Sequence, residues 1–357
     1  MNKPIAIHHC PLSFSQRWIE YCEEQGVDYR IVNCFSTNII DDLKGCSALL
    51  WHWGLRQPQS FLIARSIIAS AEAMGLTVYP SLSTAWHYDD KIAQKYLLES
   101  IGAPLVSSYL FFDEREAREW LKDAEFPLVF KLRNGSASAN VRLVKNGRQA
   151  ARLCKKAFRR GFRSVPGYFY DTRRKVRNVG NLGSFVDKLK RLPAALEQLR
   201  KTRNLLPRQK GYVYFQEFIP HNQNDIRVTV IGDRAFAYTR AVRSGDFRAS
   251  GSGRNCYDRG GIPEEALKTA FSIVESIDAQ SLACDFVTTA ENRVLLTEIS
   301  YGFPRMHILD SPGHWDRDLN WHEGHMAAED AILVDILEKL KEKEIRESGT
   351  SKSGEAS

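Results

Sequence analysis

The strongest constraint on this chain lies in residues 1–85, where short apolar runs alternate with helical patterns. Ile5-Ala6-Ile7-His8-His9, Tyr29-Arg30-Ile31-Val32, Ala48-Leu49-Leu50-Trp51 and Leu76-Thr77-Val78-Tyr79 have the length and content of buried strands. Between them fall apolar residues at helical spacing, as in residues 61–68. A strand that runs into a helix cannot fold straight back as a hairpin, so the following strand joins it in parallel. Residues 1–85 are therefore expected to form a small parallel α/β domain.

The remainder holds more than one further unit. At 357 residues and 43% hydrophobic, the chain has the material for two or three globular domains. No stretch approaches the roughly eighteen apolar residues of a membrane span, and the apolar start is too short for a signal peptide. A cytoplasmic protein is expected. The seven cysteines are scattered and never form a C-x-x-C pair, so they are read as small buried hydrophobes in a reducing compartment. The charge of +7 is uneven. Residues 145–210 hold 20 Lys/Arg against three Asp/Glu, which leaves the rest of the chain net negative.

Past Asp90, an apolar stripe from Ile92 to Leu98 marks a short helix, stopped by Gly102-Ala103-Pro104. The strand pattern Phe126-Pro127-Leu128-Val129-Phe130-Lys131-Leu132 then runs into a small-residue loop, Arg133-Asn134-Gly135-Ser136-Ala137-Ser138. After the basic segment come strand patterns at residues 212–219, 226–231 and 235–240, the last two joined by the tight turn Gly232-Asp233. An amphipathic helix at 264–278 precedes a second hairpin, residues 283–287 and 294–299, turning at Ala290-Glu291-Asn292. A last helix from about 327 to 341 leads into a tail lacking apolar residues near its end, expected to be disordered over 341–357. Domains are thus expected at 1–85, 86–210 and 211–340.

Neither G-x-x-x-x-G-K-[ST] nor G-x-G-x-x-G is present, so the two commonest nucleotide loops are missing. Two late carboxylates, Asp285 and Glu298, fall on the paired strands of the second hairpin. Carboxylates on one face repel unless a cation lies between them. The pieces occur in this order: Lys131 at a strand end before a small-residue loop, then Gln216-Glu217-Phe218-Ile219, then Asp225-Ile226-Arg227, then the carboxylate hairpin. As an ordered set over roughly residues 86–304 it resembles the ATP-grasp superfamily, which includes glutathione synthetase, D-alanyl-D-alanine ligase and the glutamate ligases acting on ribosomal proteins.

The resemblance implies an α/β and α+β architecture: an amino-terminal parallel domain and two α+β lobes enclosing ATP. It implies that Lys131 and Lys91 meet the ATP phosphates and that the loop from Gly135 to Asn140, with Ser136, closes over them. Gln216, Glu217, Phe218 and Ile219 would read and sandwich the adenine, and Asp225 would sit near the ribose. Asp285 and Glu298 would hold Mg2+. Ser300 stands where the family has a third ligand, Asn, and Ser250 likewise replaces an Asn. Arg227, Arg240 and Arg248, with Arg243 nearby, match the arginines that meet phosphate and acyl oxyanion.

The activity implied is ATP-dependent joining of a carboxylate to an amine through an acyl phosphate, with small or polymer-linked substrates. The basic segment, a candidate lid, would attract an anionic acceptor. Few aromatics and no nucleic-acid module occur in it, so nucleic acid is not the expected partner. A homodimer is compatible with this reading. The alternatives are an ATP-grasp kinase and a non-catalytic, RNA-associated ATP-binding protein. His8-His9, Trp51-His52-Trp53 and the group His314, His322 and His325 are read as packing, or as an acceptor-side loop or interface, since none has zinc-helix spacing.

Overall fold

A computed structural model describes residues 3–11, 13–54, 57–135, 140–163, 208–242 and 253–353. The amino-terminal alternation folds as expected: strands β1 (Ile5–His8), β2 (Tyr29–Val32), β3 (Ala48–Leu50) and β4 (Thr77–Tyr79) pair in parallel in the order β2-β1-β3-β4. Both faces are apolar. Ile5, Ile7 and Leu50 point to one core, and Ala6, Leu49 and Val78 to another, where Ala64 and Ile68 of helix α3 (Ser60–Ala73) cover them. That two-sided burial is why β1, β3 and β4 read as continuous apolar runs, whereas the edge strand β2 leaves Arg30 and Ile31 exposed.

The second unit is an antiparallel sheet of β5 (Ser108–Phe111), β6 (Leu128–Lys131), β7 (Val141–Val144) and β8 (Val213–Glu217), ordered β5-β8-β6-β7. Helices α6 (Glu114–Trp120) and α7 (Gly147–Phe158) pack on it around Phe130 and Phe215. Strand β8, expected to open the third unit, instead closes this sheet by pairing with both β5 and β6. Most of the basic segment, residues 164–207, lies outside the described residues.

The third unit carries the sheet β13-β12-β9-β10-β14-β15, with β11 (Asn255–Cys256) on β10. Its members are β9 (Asn224–Ile231), β10 (Arg234–Ala241), β12 (Ser281–Thr288), β13 (Val294–Ser300), β14 (Gly313–Trp315) and β15 (Trp321–Glu323). Both expected hairpins form, with Gly232 and Asn292 at positive φ in their turns. Helix α8 (Glu264–Ser276) covers one face of the sheet, where Val228, Leu282, Phe286 and Leu296 are buried with Leu98 of α5 (Lys91–Ser100). The other face turns Ile231, Phe236 and Ala283 toward the amino-terminal core.

The last helix, α10 (Ala328–Ser353), follows α9 (Arg305–Leu309) and returns to the amino-terminal domain. The Trp18 indole donates to the Glu329 carbonyl at 3.0 Å, and Arg17 pairs with Asp330 at 2.7 Å. Where disorder was expected from 341 onward, the helix continues as far as Ser353, and residues 354–357 lie outside the described residues. Lys339 to Arg346 are Lys, Glu, Leu, Ile and Arg, strong helix formers that extend a helix already nucleated by packing. The cysteines are free, and all but the exposed Cys256 are buried. Among the described residues no helix is long and apolar enough to cross a membrane.

Phe286 is fully buried at the centre of the third sheet. Phe286→Ala is expected to cost about 3–5 kcal/mol, read as a lower denaturant midpoint at unchanged slope.

Candidate active site

The site is built on register. Glu298 of β13 lies opposite Asp285 of β12, Asp285 lies opposite Arg227 of β9, and Arg227 lies opposite Tyr238 of β10. Directly opposed residues share a face, so these four side chains form one row across four strands. The next row brings Asp225 opposite Arg240, and Arg240 opposite Asn255. The sequence expectation that Asp285 and Glu298 converge is met.

Charge within these rows is closely matched. Arg227 donates to both oxygens of Asp285 at 2.6 and 2.7 Å, and Arg240 reaches the same carboxylate at 3.0 Å. Arg240 also donates twice to Asp225, at 2.6 Å each. Burial alone would raise the Asp285 pKa, but the two guanidiniums hold it far below the usual carboxylate range. For Asp225 burial wins over Arg240 and the pKa rises.

From the second unit, β6 ends by placing the buried Lys131 against this row, its Nζ donating to the Thr297 carbonyl at 3.4 Å. A register shift after Asp285 pairs Phe286 with Leu296 and leaves Thr297 as the extra residue of a bulge, which frees that carbonyl. Burial pushes the Lys131 pKa down to about 8, Glu298 opposes the shift, and Lys91 adds to it. Lys91, the first residue of α5, donates to the Gly135 carbonyl at 3.0 Å and pairs with Glu298 at 3.3 Å. Its pKa is raised because Glu298 and Asp89 outweigh the burial that would lower it.

A cleft of about 260 Å³ lies between the second and third sheets. One end is apolar, lined by Val106, Val129, Phe218, Ile219 and Val287. The other is charged, with Lys131, Asp225, Arg240, Asp285 and Glu298. Strand β8 ends at Glu217, so Phe218 and Ile219 leave the ladder to form the apolar wall. Glu217 accepts from the Tyr109 hydroxyl at 3.0 Å, and Gln216 is buried, its amide donating to Ser108 at 3.0 Å.

This arrangement of sheets has known counterparts. A family model described as a RimK-like ATP-grasp domain matches residues 191–303. D-alanine–D-alanine ligase from Bacillus anthracis superposes with a TM-score of 0.56 at 12% identity, over 96% of this chain and 100% of that one. The chain carries the ATP-grasp fold. Biotin carboxylase from Campylobacter jejuni gives a TM-score of 0.56 at 13% identity, over 94% of this chain and 71% of that one. The biotin carboxylase domain of Hydrogenobacter thermophilus 2-oxoglutarate carboxylase gives 0.55 at 14%, over 92% and 68%. No curated protein sequence matches the chain significantly.

Of the residues read from the sequence, Lys131, Gln216 to Ile219, Asp225, Arg240, Asp285 and Glu298 line this ATP-grasp cleft, and Lys91 and Arg227 stand behind it, paired with Glu298 and Asp285. Ser300 lies on the Glu298 face two residues on, its hydroxyl donating to the Gly302 carbonyl at 2.9 Å. Ser136, Arg243, Arg248 and Ser250 lie outside the described residues. His8, Trp51 and Trp53 are core residues, the histidine ring against Phe35 and Trp51. His314 and His322 stack across β14 and β15 at the edge of the third sheet.

The sequence reading missed the clamp under the loop that follows Lys131. Arg133 donates to Asp90 at 2.5 and 2.8 Å, the Asn134 amide to the Asp89 carbonyl at 2.6 Å, and the Gly135 N–H to the Asp89 carboxylate at 2.8 Å. Burial raises Asp89 to about 6 against the pull of Lys91. Two consecutive Asp before a helix-starting Lys was the available signal, and it reads equally well as a helix cap.

Lys131 is expected to titrate near 8 in a side-chain NMR titration of the free protein, where an ordinary lysine stays charged past 10. Glu298→Gln removes the carboxylate that holds the value up, so the transition should move lower still. A Lys131 transition at the ordinary position would show that the ammonium is not buried against this row.

Proposed function

We propose that this ATP-grasp chain is an ATP- and Mg2+-dependent carboxylate–amine ligase working through an acyl phosphate. The observation that carries the reading is convergence. Lys91 and Lys131 on one side and Arg227 and Arg240 on the other meet the carboxylates Asp285 and Glu298 at the polar end of a cleft whose far end is apolar. A nucleotide has the same division, a flat apolar base at one end and a polyanion at the other.

In the proposed reaction a substrate carboxylate attacks the γ-phosphate, ADP leaves, and an amine then displaces phosphate from the acyl phosphate to give an amide. The protein's part is positioning and charge neutralisation, because phosphoryl transfer needs no side-chain nucleophile. Lys131 and Lys91 neutralise phosphate oxygens, the first with a poorly hydrated ammonium whose field is strong where water is excluded. Arg227 and Arg240 lie where the tetrahedral oxyanion would develop, prealigned by Asp285 and Asp225. Phe218 and Ile219 take the adenine face.

The donor set suits magnesium, which prefers hard oxygens and takes one or two carboxylates together with phosphate oxygens. Asp285 and Glu298 would hold it, with Ser300 on the same face. When bound, the ion supplies Lewis-acid neutralisation of phosphate charge. Among the described residues no group of three or more His, Cys, Asp or Glu side chains is placed to hold a metal by itself, which agrees with an ion that enters with its nucleotide.

The basic composition of residues 145–210 supports an anionic acceptor. In a screen of acid and amine pairs, ADP release is expected only with both partners present, and hydroxylamine should trap the acyl phosphate as a hydroxamate. Glu298→Gln is expected to lower turnover by on the order of 100-fold, while Ser300→Asn stays active. A phosphorylated acceptor that accumulates without amine and resists hydroxylamine identifies a kinase instead.

A further inference from the structure

Beyond the arginines, on the side away from the nucleotide cleft, the sheet face continues into a cluster the reaction above leaves unused. His307, on α9, packs its ring on Tyr238 with centroids 5.3 Å apart, and its Nδ1 lies 2.8 Å from the Asn255 amide nitrogen. Tyr238 is the cross-strand partner of Arg227, and Asn255 is the cross-strand partner of Arg240. The imidazole is thus fixed against both partners of the arginine pair. The Tyr257 ring packs beside Tyr238 with centroids 5.4 Å apart, and its buried hydroxyl lies beside Asn255. Among the described residues, the charged groups facing His307 are Arg227 of β9, Arg240 of β10 and the exposed Asp310 after α9.

We propose that His307 is the proton acceptor for the attacking amine, with Asn255 as its positioning residue. The proposal rests on the ligase reading and adds the group that makes the second half-reaction run. The approaching ammonium gives one proton to Nε2, which passes it to solvent; the freed lone pair forms the C–N bond, the bond from the acyl carbon to the phosphate oxygen breaks with its electron pair leaving on phosphate, and the second proton on nitrogen goes to that phosphate. For Nε2 to be bare, Nδ1 carries the hydrogen and donates to the Asn255 oxygen, the orientation reached by a half-turn of the amide. Burial, helped by the two guanidiniums and opposed by Asp310, lowers the imidazole pKa, so the ring is neutral near pH 7 and available as a base. Asp310 offers the approaching ammonium a carboxylate on the solvent side.

The test separates the two half-reactions in the full chain. Hydroxylamine is a weakly basic nucleophile that attacks without needing a base, so His307→Gln should form hydroxamate at the wild-type rate. With the amine substrate found in the screen, its amide formation should fall by on the order of 100-fold, and the deficit should shrink as rising pH supplies free amine. Asn255→Ala should give a smaller loss of the same kind. Loss of hydroxamate and amide together in both variants overturns the proposal, because it marks a structural role. Equal amide formation in wild type and His307→Gln overturns it as well. If wild type itself forms no hydroxamate with any acid, the ligase reading fails instead, a result distinct from both.

Discussion

The site depends on one buried carboxylate shared between two arginines. Asp285 is 6% exposed, and an unpaired charge there would cost several kcal/mol, on the order of 3–5 when one partner is removed. What keeps it in place is the opposite face of the same strand, where Leu282, Cys284 and Phe286 are buried under α8 with Val228 and Leu296. Strand periodicity is two, so a one-residue slip would drive Asp285 into that core and turn Phe286 to the cleft. The hydrophobic core therefore sets the register, and the register sets the charged row. The bulge at Thr297 is the local exception, and it supplies the carbonyl that meets Lys131.

Much of this was legible because it follows from local pattern. The four parallel strands appear within a residue or two of the apolar runs that announce them, since β1, β3 and β4 are buried along their whole length and the edge strand β2 keeps Val32 inside. The carboxylate hairpin was readable because its turn residues bracket two alternating runs, which puts Asp285 and Glu298 within pairing distance. Lys131 stood out as a cation ending an apolar strand, where desolvation is costly without a purpose.

What was not legible is tertiary. Arg227 and Asp285 are far apart in sequence, and nothing near either names the other. Asp225 was expected beside a ribose, yet in the free protein it is spoken for by Arg240, a pairing fixed only once β9 and β10 align. Strand β8 looked like the start of the third unit because sequence order places it there, whereas its ladder partners are β5 and β6. The last helix overran its expected end because docking on Trp18 and Arg17 supplies the nucleation that a polar segment lacks by itself.

The distribution of cores says where the molecule can open. The amino-terminal sheet, the back of the third sheet and α10 share one apolar cluster, and α5 contributes Leu98 to the core of the third sheet. The second unit has its own core, built among the described residues from its own strands and helices around Phe130 and Phe215. Near the loop that follows Lys131 its joints with the rest are polar: Arg133 to Asp90, Asn134 and Gly135 to Asp89, Lys91 to Gly135, and Lys131 to Thr297. Separating polar contacts lets water replace each lost hydrogen bond, whereas splitting an apolar core exposes area at about 25 cal/mol per Å². The second unit is thus the one that swings at least cost, and its seam runs through the charged end of the cleft. Under the proposed function, a polyanion entering there adds ionic contacts to both sides at once, which favours closure where water would have to be kept from an acyl phosphate.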